Sequence, residues 1–162
     1  MPPKSRILVD ALGSQCAIAR SLGVLSDPWS FLLLREALLG RRTFAQFRES
    51  LGIATDVLTA RLNALVDHGV LEKVPYQELG QRTRHAYVLT SAGEELKLVL
   101  VAMQQWGEVH LPHGPGSSVI PVIGEARERV SVALVNTRGQ IVNHEDVEFL
   151  RFPALDEASS PN

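Results

Sequence analysis

The stretch ATDVLTARLNALVDHGVLEKV, Ala54 to Val74, decides the fold. Leu58, Leu62, Leu65 and Val66 recur at helical spacing and predict an inward apolar stripe. At about 100° per residue the opposite face carries Asp56, Ala60, Asn63 and Asp67, with Thr59 and Arg61 on its flanks. Thr55 is placed to cap this helix. Gly69 ends it, and VLEKVPY then alternates as a strand, with Val70, Glu72 and Val74 on one side and Leu71 and Lys73 on the other. A helix that is small and polar at its outward start, and that runs through one glycine into a strand, is more than a core needs.

Downstream, QELGQRTR is polar and turn-prone through Gly80, and HAYVLT returns as a second strand, so the pair predicts a hairpin with Arg82 and Arg84 at its tip. Thr90 or Ser91 caps a long helix, SAGEELKLVLVAMQQWGEVHL. Its stripe of Leu96, Val99, Leu100, Met103, Trp106 and Val109 is wide enough to pack against more than its own domain. Pro112 closes it, and HGPGSS reads as linker. A different texture follows: VSVALV, the turn NTRG and QIVNHEDVEFL predict a β-hairpin, with Val130, Val132 and Leu134 alternating.

Upstream, Cys16, Ile18, Ala19, Leu22 and Leu25 predict a first helix. Asp27 before Pro28 is a good N-cap followed by a good first helical residue, and PWSFLLLREALL is apolar nearly all round, hence central to the core, with Gly40 as its stop. Thr43 caps TFAQFRESL, whose Phe44, Phe47 and Leu51 share one face while Arg48 lies off it.

Three short helices, a fourth with a small polar face and a hairpin with a basic tip follow the order of a winged helix-turn-helix, in which the fourth helix enters the major groove. The predicted class is mainly α (α+β), with a long C-terminal dimerisation helix and a small β-hairpin extension. On this reading Thr55, Asp56, Thr59, Ala60, Asn63 and Arg61 of the fourth helix face the bases, which offer donors, acceptors and the thymine methyl. Arg82 and Arg84 of the wing, with Arg42, Thr43 and Arg48 around the third helix, supply backbone contacts that position without reading sequence. Arg61 has an equal alternative, pairing with acidic neighbours inside its own fold.

The bulk numbers agree with one ordinary domain: 162 residues, 45% hydrophobic and 6% aromatic. The net charge of -2 hides an asymmetry. Residues 1–89 carry 11 Lys and Arg against 8 Asp and Glu, a net +3, while residues 90–162 carry 5 against 10, a net -5. The first half suits phosphates; the second is repelled by them. No apolar run has the length of about 18 residues that a bilayer span needs, and the N-terminus lacks a secretory signal, so a cytoplasmic protein without membrane contact is expected. The single Cys16 excludes an internal disulfide; it reads either as a small buried hydrophobe or as a candidate redox-sensing thiol with Arg20 one turn on. Glu108, His110 and His113 straddle Pro112 at a helix end and read as a solvated terminus, so no metal, cofactor or catalytic site is expected.

These residues also resemble a known family. The run from Cys16 through VLTARLNALVDHGVLEK, with Trp29, Arg35, the pattern of Tyr87, Leu89, Thr90 and Gly93, and the closing Trp106, is similar to the HxlR-type transcription regulators of the MarR-like winged-helix group. The resemblance spans Cys16 to Leu111. It departs where the family often has proline after the cysteine, here Ala17, and arginine before the aromatic of the third helix, here Thr43. It implies a regulator, more often repressor than activator, that binds double-stranded DNA at a palindromic operator as a homodimer formed by its terminal helices, with a small molecule or thiol-reactive compound as effector. The competing expectation is a winged-helix adaptor that binds proteins. The organisation expected is an N-terminal arm (1–15), the DNA-binding and dimerisation domain (16–111), a linker (112–129), the hairpin extension (130–152) and a disordered tail (153–162).

Overall fold

The computed structural model describes residues 10–77 and 82–150. The start of the N-terminal arm, the centre of the wing loop and the expected tail lie outside these residues. The chain divides into two compact units, Met1–Gly116 and Ser117–Asn162.

Within the first unit, α1 (Ala17–Val24), α2 (Pro28–Leu38), α3 (Phe44–Leu51) and α4 (Thr55–Asp67) precede an antiparallel pair, β1 (Leu71–Tyr76) and β2 (Arg84–Leu89). Two further helices follow, α5 (Ser91–Glu95) and α6 (Lys97–His110). Local chemistry sets most of the boundaries. Asp27 Oδ1 accepts from the amides of Trp29 and Ser30, with Pro28 supplying the preset φ of a first helical residue. Thr43 makes a full capping box with Gln46, each side chain accepting from the other residue's amide. Thr90 Oγ1 accepts from the Gly93 amide at the head of α5.

Helices α2 and α4 both end in a left-handed glycine. After α4, Gly69 has φ 69°, its amide donates to Val66 O, and Val70 N donates to Leu65 O, a Schellman arrangement that satisfies those two terminal carbonyls. The helix can therefore stop and reverse into β1 within two residues.

Leu33 and Leu34 of α2, Phe47 of α3, Ile53, and Leu58, Leu62 and Leu65 of α4 form the core, closed by Val70 and Leu71. At roughly 1.5–3 kcal/mol per fully buried side chain, this cluster is the main force holding α4 against α2 and α3. The predicted stripe of α4 is this inward face, with Val66 packed at its edge.

Several expectations need correction. The N-cap of α4 is Ala54, which offers no side-chain bond; Thr55 is already helical. Helix α1 begins after Cys16, which occupies the N-cap position and is exposed, so the buried-hydrophobe reading fails. Val70 precedes β1 and is buried together with Leu71, because both residues at the helix-to-strand reversal face the core; Val74, expected to share its side, is exposed. The long C-terminal helix is broken at Leu96, where ψ is -9° and the amide donates to Gly93 O and Glu94 O in place of the i-4 carbonyl.

In the second unit, β3 (Val122–Ile123) pairs with β4 (Glu128–Arg129) inside the segment expected as linker. A second hairpin joins β5 (Leu134–Val135) to β6 (Ile141–Val142) across the turn Asn136–Gly139. The strands hold two residues each rather than the longer alternation expected from Val130; the turn falls at the expected NTRG, where Asn136 Oδ1 accepts from the amides of Arg138 and Gln140. A 3₁₀ turn over His144–Asp146 follows.

Candidate nucleic-acid interface

Helices α3 and α4 are joined by the three residues Gly52, Ile53 and Ala54, with Gly52 in the left-handed conformation and Ile53 plugged into the core. This is a helix-turn-helix. The β1–β2 hairpin is its wing, in register from Leu71 opposite Leu89 to Tyr76 opposite Arg84. A single bridge between Thr43 and Ala86, with the Tyr87 amide donating 2.7 Å to Arg42 O, ties the wing to the start of α3.

On α4, Thr55, Asp56, Thr59, Ala60 and Asn63 are all exposed, opposite the buried leucines. Their chemistry is partly committed. Thr59 Oγ1 donates 2.7 Å to Thr55 O, so it faces outward as an acceptor. Asn63 Oδ1 accepts from Lys73 Nζ at 2.9 Å, leaving its amide nitrogen to donate. Asp56 lies in the first turn, where its charge complements the helix N-terminus that Ala54 leaves uncapped.

Arg61 behaves differently from its neighbours. Its Nε lies 2.7 Å from Asp27 Oδ2, and both side chains are shielded from solvent on most of their surface. The acidic neighbour that one of the two readings of Arg61 calls for is thus present, at the flank of α4 that packs against the start of α2.

The backbone-contact candidates are more accessible. Arg42, Arg48, Arg82 and Arg84 are exposed; Thr43 is half-buried. The Thr43 oxygen accepts from Gln46 N, which leaves its hydroxyl hydrogen to donate to an anionic oxygen.

Three residues here were given no role at the interface by the sequence. Lys73 was only a strand residue by its alternation, yet it sits beside the α4 face with Nζ 5.9 Å from the Tyr87 ring centroid. Tyr87 itself packs edge-on against Phe47, and burial pushes its phenol above the ordinary value of 10.0. Glu36 is the third: a carboxylate only 3% exposed that accepts from Arg35 Nε and Nη2 and from Ser50 Oγ, with Arg41 Nε at 3.7 Å. Burial alone would raise its pKa; the bonds from Ser50 and Arg35 and the charges of Arg35 and Arg41 outweigh it and hold the carboxyl below 4.5. It fastens α2 to α3 across 14 residues of chain, a separation no periodic pattern displays.

Residues 24–115 match the family described as HxlR-like helix-turn-helix. The chain belongs to that family. Its curated relatives are named HTH-type transcriptional regulators, and the chain spans less than two thirds of the length of the first of them. One of them, an HTH-type transcriptional regulator of Mycobacterium tuberculosis whose role is itself uncharacterized, is 38% identical over 103 residues. Those residues span 64% of this chain and 64% of that relative's length. Among solved structures, PA1607, described as a candidate transcription factor, superposes with a TM-score of 0.75 at 35% identity, over 87% of this chain and 98% of its own. PA1374 of Pseudomonas aeruginosa, described in the same words, gives a TM-score of 0.59 at 40% identity over 88% and 96%. Among the described residues, no helix of this HxlR-like protein is long and apolar enough to cross a membrane.

Proposed function

We propose that the protein represses transcription by binding a palindromic operator as a homodimer, with α4 as the reading helix and the wing on the adjacent backbone. The observation that carries this reading is the exposed face of Thr55, Asp56, Thr59, Ala60 and Asn63, held rigidly by three fully buried leucines on the opposite side of the same helix. A groove about 12 Å wide admits such a helix, and small or polar side chains are what base edges can bond. Arg42, Thr43, Arg48, Arg82 and Arg84 supply the phosphate contacts. Two such heads on a palindrome occupy a promoter and exclude polymerase.

Pairing is supported by the surface of α1 and α6. Ile18, Leu22, Leu98, Met103, Trp106 and Val109 are exposed apolar side chains, with Trp106 at 58% and Val109 at 72%, more than a solitary domain leaves in water without a partner. Exposed Cys16 stands at the start of α1, where a thiol-reactive effector would reach this pairing region.

The test is binding of the full chain to the DNA upstream of its own gene across a salt series. Log affinity is expected to fall linearly with log salt, with a slope of about -0.9 per phosphate neutralised. Arg82→Ala should weaken all sequences alike, whereas Asn63→Ala or Thr59→Ala should change the preference among operator variants. Absence of binding at low salt, or the reverse pattern in the variants, would overturn the reading.

A further inference from the structure

We propose that Lys73 determines specificity by positioning Asn63, so that the pair reads a guanine. This rests on α4 being the DNA-reading helix. An isolated Asn on a helix face is ambivalent: it can turn its carbonyl or its amide outward, and with both it matches the N6 and N7 edge of adenine. Here the choice is removed. Lys73 is a donor only, so the atom it meets at 2.9 Å is the Asn63 carbonyl oxygen, and the Nδ2 group is left to face out.

Lys73 is itself held. Its ammonium lies 5.9 Å from the ring centroid of Tyr87, its register partner across the hairpin. Tyr87 is fixed by the hydrogen bond its backbone amide donates to Arg42 O and by its edge contact with Phe47, a fully buried core residue. A chain of contacts thus runs from the core through Phe47, Tyr87 and Lys73 to Asn63. Because the Tyr87 phenol stays protonated, the ammonium meets a neutral ring, and its charge remains available at the surface.

What faces the groove is therefore an amide donor beside a cation. Guanine presents two acceptors side by side, N7 and O6, whereas adenine pairs its N7 with a donor amino group and thymine offers one acceptor beside a methyl. The arrangement fits guanine: Lys73 takes one of the two lone pairs of the oxygen that the adenine contact usual for Asn employs, and sets an ammonium, itself a donor, where adenine presents its N6 donor.

The experiment is selection of bound duplexes from a randomised pool by the full-length protein, by Asn63→Ala, by Lys73→Met and by the double variant. Met keeps the apolar stem over Tyr87, and melting curves check that each variant is folded. Wild type should select guanine at the position that Asn63→Ala relaxes, with a preference over adenine of roughly 5- to 150-fold. Lys73→Met should lose that preference at the same position, and the double variant should lose no more than either single one. Adenine at that position, or a Lys73→Met protein that binds all sequences more weakly with its preference intact, would overturn the proposal while leaving α4 as the reader. Wild type that selects no sequence at all would overturn the DNA reading, and this proposal with it.

Discussion

Asp27 does two jobs with its two oxygens, and two substitutions separate them. Oδ1 caps α2 through the amides of Trp29 at 2.8 Å and Ser30 at 3.3 Å, while Oδ2 meets Arg61 Nε of α4 at 2.7 Å. Asn caps as well as Asp, so Asp27→Asn keeps the first job and removes the charge from the second. The Asp27 side chain is 18% exposed and that of Arg61 35%, so the pair lies between the surface and buried limits. Its loss should cost about 1–2 kcal/mol, above the roughly 0.2–1 of exposed pairs and below the roughly 3–5 of a broken buried one. Asp27→Ala also strands the two amides and adds about 1 kcal/mol. With a urea m-value of about 1.5 kcal/mol/M, the unfolding midpoint should drop by about 1 M for Asn and about 1.7 M for Ala. Arg61→Met combined with Asp27→Asn should cost less than the sum of the two single losses. A midpoint for Asp27→Asn equal to wild type would show that the ion pair adds nothing. Equal midpoints for Asn and Ala would show the same of the cap.

Other consequences are open to measurement. Because the folded state holds the Glu36 carboxyl below its ordinary 4.5, its contribution is fully present above that value and is lost as pH falls through the folded pKa. The stability advantage of wild type over Glu36→Gln should therefore be flat from neutrality down to about pH 4.5 and shrink below it in thermal melts; an advantage that grows with acid would refute the assignment. A Cβ on Gly93 would stand 2.2 Å from the backbone oxygen of Val70 and 2.9 Å from Leu89 Cδ2, so Gly93→Ala forces the backbone apart. It should cost about 2 kcal/mol, a fall in Tm of roughly 10 °C, and an unchanged Tm would mean that α5 lies farther from Val70. Trp106→Glu should leave the circular dichroism spectrum intact and shift the protein from dimer to monomer in sedimentation; a dimer that survives places the pairing surface elsewhere.

What could be read from the sequence was what local chemistry decides. Asp27, Thr43 and Thr90 cap where expected because a cap needs only a short polar side chain at the right offset from its helix. The leucines of α4 were legible because one face of a helix repeats. Thr55 misled for the same reason: its type suits a cap, but Ala54 holds the extended backbone conformation and the chain turns helical one residue sooner. The break at Leu96 left no sign, since it needs neither glycine nor proline at its centre. The hairpin at residues 122–129 did leave one, Gly124 with its φ of 69° in the turn, which the reading of this segment as linker passed over. The contacts that shape the candidate interface lie across loops. Asn63 to Lys73 spans 10 residues, and Arg61 to Asp27 joins helices packed only in the finished fold. Of the residues proposed to face DNA, the exposure of those on one helix face followed from its period, whereas the acidic partner of Arg61 comes from the cap of another helix.

One small junction has a wider consequence. Thr90 Oγ1 donates 2.6 Å to Gly69 O, its amide donates to Val70 O, and Gly93 lies against that same Val70 oxygen. The glycine that ends α4 and the threonine that caps α5 thus meet at one point. Any event that tilts the C-terminal helices must carry the end of α4 along as a lever carries its load. In the proposed pair, the distance between two reading heads would then be set at the seam between protomers, so a compound bound far from the DNA would act by detuning that distance against the fixed pitch of the duplex.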